Sequence, residues 1–181
     1  RIPCYLRQEQ RWFEDRPEAA APPELRWRFC PLAPGDYRWR LDDPAGAAQA
    51  NGSFTVTRGR GHGPLIVSPE NTRLLADRDG MARILIGPNI AWANTPDRLA
   101  RMTGYLDELA AAGGNHFRLW CASWMGQISD PDDPQRWRLD QAELLDATLA
   151  AARERGLWVT LVLDNHHDYY RGYNGPFGDD T

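Results

Sequence analysis

HFRLW at 116–120 and LWVTLVLDNHHD at 157–168 are the stretches whose reading decides the fold. Successive side chains of an extended strand point to opposite faces, so His116, Arg118 and Trp120 share one side and Phe117 and Leu119 the other. In the second stretch Thr160, Val162, Asp164 and His166 share a side, opposite Val159, Leu161 and Leu163. The fully apolar sides suit a layer of helices. The mixed sides suit a barrel interior or a cleft. Arg118, Asp164 and His166 then fall toward the carboxyl ends of their strands, where parallel α/β folds place function.

The surrounding sequence extends this reading. ARILIGPN (82–89) predicts a first strand. Thr95 then predicts a helix cap, with Pro96 at the first helical position and Gly113 at the end. Leu99, Met102, Leu106 and Leu109 form the apolar stripe of that helix. Asp140 and Glu143 resemble a capping box for a second helix that carries Leu144, Leu145 and Leu149 and closes at Gly156. The 157–164 run is nearly all apolar, as a parallel strand covered on both faces should be. Strand, helix, strand, helix, strand is a parallel α/β order, shared by barrels and doubly wound sheets. Neither GxGxxG nor a phosphate-binding loop follows the first strand, which disfavours a nucleotide site.

Upstream the period is two residues. Leu25, Trp27 and Phe29 alternate with arginines and Cys30; Tyr37, Trp39 and Leu41 alternate with Arg38 and Arg40. PLAPGD (31–36) and DDPAG (42–46) read as turns, and SFTVT (53–57) as a further strand. About three or four strands are expected here, against roughly seven in a full sandwich. Arg58–Pro64 alternates glycine and arginine and reads as a linker. LIVSP and RLLAD, just beyond it, predict a short hairpin.

A guanidinium inside a strand costs several kcal/mol unless it meets a carboxylate or a dense set of acceptors. Arg118 therefore has two open readings: it orients a catalytic carboxylate, or it pairs structurally with a core acid such as Asp164. His166, His167 and Asp168 are ordinary metal-ligand types. Adjacent strand residues face opposite ways, however, so the two histidines are poorly placed to share one ion, and no metal is expected. His166 is expected instead to hydrogen-bond substrate or a carboxylate. Trp92, Trp120, Trp124 and the tyrosines from Tyr169 to Tyr173 follow the strand ends, placed to stack on sugar rings or to pack loops.

GGNHFRLWCASW (113–124) is similar to the second-strand motif of cellulase-like glycoside hydrolase family 5 barrels and their clan relatives, where an arginine ends the strand. VLDNHHD (162–168) resembles the third-strand motif of the same family. NIAWANTPDRL and the upstream SFTVT…LIVSPENTRLLADRDG look like bacterial members in which an immunoglobulin-like domain precedes the barrel. The resemblance implies a multi-domain chain: a partial immunoglobulin-like β-sandwich over 1–57, a linker over 58–64, and the first three β/α units of a TIM (β/α)8 barrel over 65–181. It places Arg118 and His166 at the active site, with Asn89 and Trp92 near the sugar-binding end of the first strand. It also implies a retaining mechanism with two glutamates, at the ends of strands four and seven.

Those two positions are expected beyond Thr181, because a whole barrel takes about 250 residues and only about 100 follow the linker. The chain is thus expected to be part of a longer polypeptide, or completed by another chain, and inactive alone. No cofactor is implied. The partner implied is a carbohydrate, with β-glycan favoured. Two other functions fit less closely: a carbohydrate-binding scaffold without the acids, and a metal-dependent barrel hydrolase using His166, His167 and Asp168.

Bulk properties agree with a folded, sugar-directed chain. The 181 residues are 42% hydrophobic with eight tryptophans. The net charge of -4 argues against nucleic acid or an anionic membrane as partner, and no apolar run is long enough to span a bilayer. All 21 basic residues are arginine. Cys4, Cys30 and Cys121 lack the spacing of disulfides or metal ligands and read as free thiols. No signal peptide is visible at the first residue, Arg1; a secreted or periplasmic parent is compatible with the reading.

Overall fold

The computed structural model describes residues 5–7, 10–13, 16–19, 24–26, 29, 31, 33–43, 45–59, 62–93, 96–122, 124–130 and 136–163. The chain divides into two compact units, one of Arg1–Cys4 with Trp27–Gly61 and one of Tyr5–Arg26 with His62–Thr181. The last of the three breaks falls between Gly61 and His62, inside the glycine-arginine stretch.

The smaller unit is built on an antiparallel hairpin of β5 (Gly35–Asp42) and β6 (Ala48–Val56). Its turn is local. Asp43 Oδ1 accepts the Ala47 N–H at 2.8 Å, and Gly46 adopts φ +87°. Tyr37 and Phe54 are register partners and stack at 5.7 Å, with Phe29 edge-on to both rings. Trp39 lies over its partner Gly52, where a Cβ would fall 2.7 Å from the indole Nε1. An aromatic ring covering a cross-strand glycine is a recognised way to pin the register of a pair of strands.

Two expectations change here. The strand anticipated at 25–30 is described only as β4 (Glu24–Arg26), and it pairs antiparallel with β1 (Tyr5–Arg7) in the other unit. PLAPGD therefore does not join it to β5 as a hairpin. Pro31 and Pro34 cannot donate to a ladder, whereas the Asp43 turn closes β5 on β6 at little loop entropy.

The larger unit holds β1, β4, a second pair formed by β2 (Gln10–Phe13) and β3 (Arg16–Ala19), and a three-stranded antiparallel meander. The meander is β7 (Ile66–Val67), β8 (Leu75–Ala76) and β9 (Ala82–Arg83). Its second turn is organised by the buried Asp77. Oδ1 accepts the N–H groups of Asp79 and Met81 at 3.0 Å, and Oδ2 accepts from the Arg83 guanidinium.

A parallel three-stranded sheet follows: β10 (Asn89–Ile90), β11 (His116–Trp120) and β12 (Trp158–Val162), in that order. Helix α1 (Arg98–Ala111) connects β10 to β11, and α2 (Leu139–Glu154) connects β11 to β12. Phe117 and Leu119 are buried among Met102 and Leu106 of α1, Ala152 of α2, and Leu157; Val159 and Leu161 pack against the same cluster. The helices are linked at the surface by Arg155, whose Nε donates to Asp107 Oδ1 at 2.7 Å.

Element boundaries depart from the sequence expectation in three places. ARILIGPN is split: Ala82–Arg83 belongs to the meander, and Asn89–Ile90 to the parallel sheet. Between them the Asn115 side chain stands in for a peptide, accepting from Ile86 N–H and donating to Ile84 C=O, both at 2.9 Å. A Cβ at Gly87 would collide with the His116 carbonyl, so only glycine lets the chain run this close to β11. The α1 cap is Asp97, which receives the Ala100 N–H at 3.0 Å; Thr95 lies outside the described residues. The α2 cap is Arg138 with no side-chain cap bond, and Asp140 sits in the first turn, where the helix dipole favours an anion. Both helices end as expected, with Gly113 at φ +78° and Gly156 at φ +67°.

Two outcomes test this packing. Phe117→Ala removes a fully buried ring and should cost about 3–5 kcal/mol in urea unfolding, whereas Leu99→Ala, on an exposed α1 position, should cost far less. The Arg83 guanidinium beside Asp77 holds its carboxyl below the ordinary 3.8, against the upward push of burial. A lowered folded pKa gives stability above the ordinary value that disappears as pH falls through the lowered one. Asp77→Asn should therefore be less stable than the parent at pH 7, and the gap should close on acidification below 3.8.

Candidate functional site

Pairing of the parallel strands brings Asn89, Arg118 and Thr160 into one row across the sheet, on the face turned away from the helices. His116 and Trp158 form the row toward the amino ends, and Trp120 and Val162 the row toward the carboxyl ends. The register follows from the burial of the other face: Ile90, Phe117 and Leu119 are committed to the core, so their neighbours along each strand are not.

The amino-end row is covered. Trp158 Nε1 donates to the Gly63 carbonyl at 3.1 Å, His62 lies 5.2 Å from the Trp158 ring, and the Arg83 guanidinium sits 5.8 Å from its centroid. His116 is half-buried and hydrogen-bonded through Nε2 to Thr160 Oγ1 at 2.8 Å, and burial pushes its pKa below the ordinary histidine value.

Toward the carboxyl ends the site is aromatic. Trp124, in the loop after β11, donates from Nε1 to the Ala91 carbonyl at 2.8 Å, tying that loop to the end of β10. On one side Trp124 stacks with Trp92, centroids 6.2 Å apart and planes at 16°; Trp120 lies 6.3 Å away, tilted by 43°. Arg118 places its guanidinium carbon 5.5 Å from the Trp120 centroid. The four residues thus run continuously from sheet to loop. Trp92 is 64% exposed and is the outermost ring.

Of the residues singled out from sequence, Asn89, Trp92, Arg118, Trp120 and Trp124 are brought together at these strand ends. Asp164 and His166, with His167, Asp168 and the tyrosines beyond them, lie outside the described residues. Among the described residues Arg118 is exposed and its guanidinium contacts the Trp120 ring; Asp164, the acid expected as a pairing partner, lies outside them. The cover that α1 and α2 provide lies on the other face of this short sheet. His116, Thr160 and the covered Trp158 were not selected from sequence. Parity alone placed His116 and Thr160 on compatible sides, but their contact is diagonal, and only the register reveals it.

Among the described residues no group of three or more histidine, cysteine or acidic side chains is positioned to hold a metal ion, and no helix is long and apolar enough to cross a membrane. Cys121 is buried beside a small apolar cavity lined by Met102, Leu119, Met125 and Leu144, and its thiol is pushed up to about 11 by that burial. Cys4 and Cys30 lie outside the described residues.

Comparison with protein-family models, with curated proteins and with solved structures yields no match for this chain.

The thiol supplies a direct check of this geometry. Peptide mapping after iodoacetamide at pH 7 should leave Cys121 unmodified in the folded protein and alkylated in urea, because the thiolate is the nucleophile. Rapid labelling without denaturant would place Cys121 at the surface.

Proposed function

We propose that this chain is part of a retaining glycoside hydrolase acting on O-glycosidic bonds of a polysaccharide or oligosaccharide, with β-glycan favoured. In this reading residues 65–181 are the first three β/α units of a (β/α)8 barrel, preceded by part of an immunoglobulin-like domain. The observation that carries it is the line of Asn89, Arg118, Trp120, Trp124 and Trp92 at the carboxyl ends of β10 and β11 in the parallel sheet. That end is where parallel α/β barrels hold substrate. Indole faces are apolar, flat and broad, and suit the C–H face of a pyranose, while amide and guanidinium groups suit its hydroxyls. The likeness of 113–124 and 162–168 to the second- and third-strand motifs of family 5 supports the same reading.

Hydrolysis needs two carboxylates: one protonates the leaving oxygen, and the other attacks the anomeric carbon to form a glycosyl-enzyme that water then cleaves. The resemblance assigns both to later strands. Arg118 and Asn89 would orient sugar and carboxylate there, and the exposed Trp92 would stack on the chain of sugars. His166 and Asp164 would act beside them.

Covalent trapping tests the mechanism. The polypeptide that carries this chain, treated with an activated 2-deoxy-2-fluoro β-glycoside, should gain one sugar mass on a glutamate, and hydrolysis should retain anomeric configuration by NMR. Inversion, or binding of β-glycan oligosaccharides without any turnover, would overturn the retaining-hydrolase reading; the second result is what a binding scaffold gives.

A further inference from the structure

We infer that Trp124 is a positioning residue that fixes the sugar-stacking face of Trp92 and does not itself touch the sugar; this rests on the carbohydrate reading above. Three observations lead to it. Trp124 is the middle ring of the three, with Trp92 at 6.2 Å on one side and Trp120 at 6.3 Å on the other. Its indole is half-buried, whereas Trp92 is 64% exposed. Its Nε1 donates to the carbonyl of Ala91, the residue just before Trp92, at 2.8 Å.

The geometry makes one assembly of a ring and the backbone that presents it. Trp92 sits just past β10, where its own main chain is no longer in the ladder: Asn89–Ile90 are the paired residues. An indole on such a segment has free χ angles, and immobilising a side chain on binding costs roughly 0.5–1.5 kcal/mol. Trp124 removes that freedom twice over. Its ring plane lies within 16° of the Trp92 plane and restricts the side chain, and its N–H holds the peptide from which Trp92 springs. One face of Trp92 is thereby occupied, leaving the other for a pyranose. Met125, next in sequence, is buried in the core beneath, so the Trp124 loop is itself anchored.

The test uses the polypeptide that carries this chain, with cellohexaose as probe, read by isothermal titration. Far-UV circular dichroism reads the exciton couplet of the Trp92–Trp124 pair independently of sugar. Trp92→Ala should abolish most of the binding and reduce the couplet to what the remaining Trp120–Trp124 pair gives. Trp124→Leu should abolish the couplet and weaken binding about two- to tenfold, the worth of an aromatic pair. Trp124→Phe, which keeps a ring but loses the bond to Ala91, should fall between; it also serves if the leucine variant folds poorly.

In the Trp92→Ala background, Trp124→Leu should cause no further loss, because its effect passes through Trp92. An additional loss there would make Trp124 a contact residue and overturn the inference. Parent-like affinity in Trp124→Leu would overturn it too. A parent protein that gives the couplet but binds no cellohexaose would sink the carbohydrate reading and this inference with it, while leaving the stacked pair intact.

Discussion

Burial of Phe117 and Leu119 against α1 and α2 is the constraint on which the rest of the larger unit depends. A strand has only two faces, and once these two side chains are committed to the core, His116, Arg118 and Trp120 must project from the other. Lateral pairing then spreads the same division to the neighbours: Asn89 joins Arg118 from β10, and Thr160 joins it from β12. Slipping β11 by one residue would bury a guanidinium and an imidazole and expose a phenyl ring. The apolar face therefore specifies the polar one, although none of its side chains touches that surface.

This is also why the division of faces was legible in the sequence. A two-residue period is a local property, and five residues of HFRLW suffice to display it. Helix ends were legible for the same reason wherever the signal is a glycine with positive φ, as at Gly113 and Gly156. Helix starts were less so. Thr95 and Asp97 are both acceptable cap residues, and which one receives a backbone N–H depends on where the incoming chain turns. Arg138 caps α2 without a side-chain bond, a choice that cap preference cannot anticipate.

What sequence reasoning could not reach is held by long-range contacts. ARILIGPN reads as one strand because its apolar run is unbroken, yet Asn115, about thirty residues away, supplies the hydrogen bonds that carry it from one sheet to the other. A side-chain amide imitating a peptide leaves no periodic signature. Arg118 is a second instance. Its position in an apolar strand suggests burial, but the strand belongs to a sheet whose helices lie on one side, so the guanidinium lies against Trp120 in the open. The tryptophans were selected by type and by nearness to strand ends; that one of them supports another required the bond from Trp124 to Ala91.

The open face is asymmetric along its length, and this bears on where chemistry is placed. At its amino end Trp158 is closed off by Gly63, His62 and Arg83. Arg83 is in turn held by Asp77, which also fixes the turn that brings β9 into position. Moving toward the carboxyl ends, Arg118 and Thr160 are exposed, and the tryptophans extend the surface into the loops. A carboxylate buried in the meander thus seals one end of a sheet whose other end is left free. Closure at the amino end costs the site nothing, because every candidate group stands above it. It also shields part of the Trp158 indole from water, so the same contacts that fix the meander contribute to the fold.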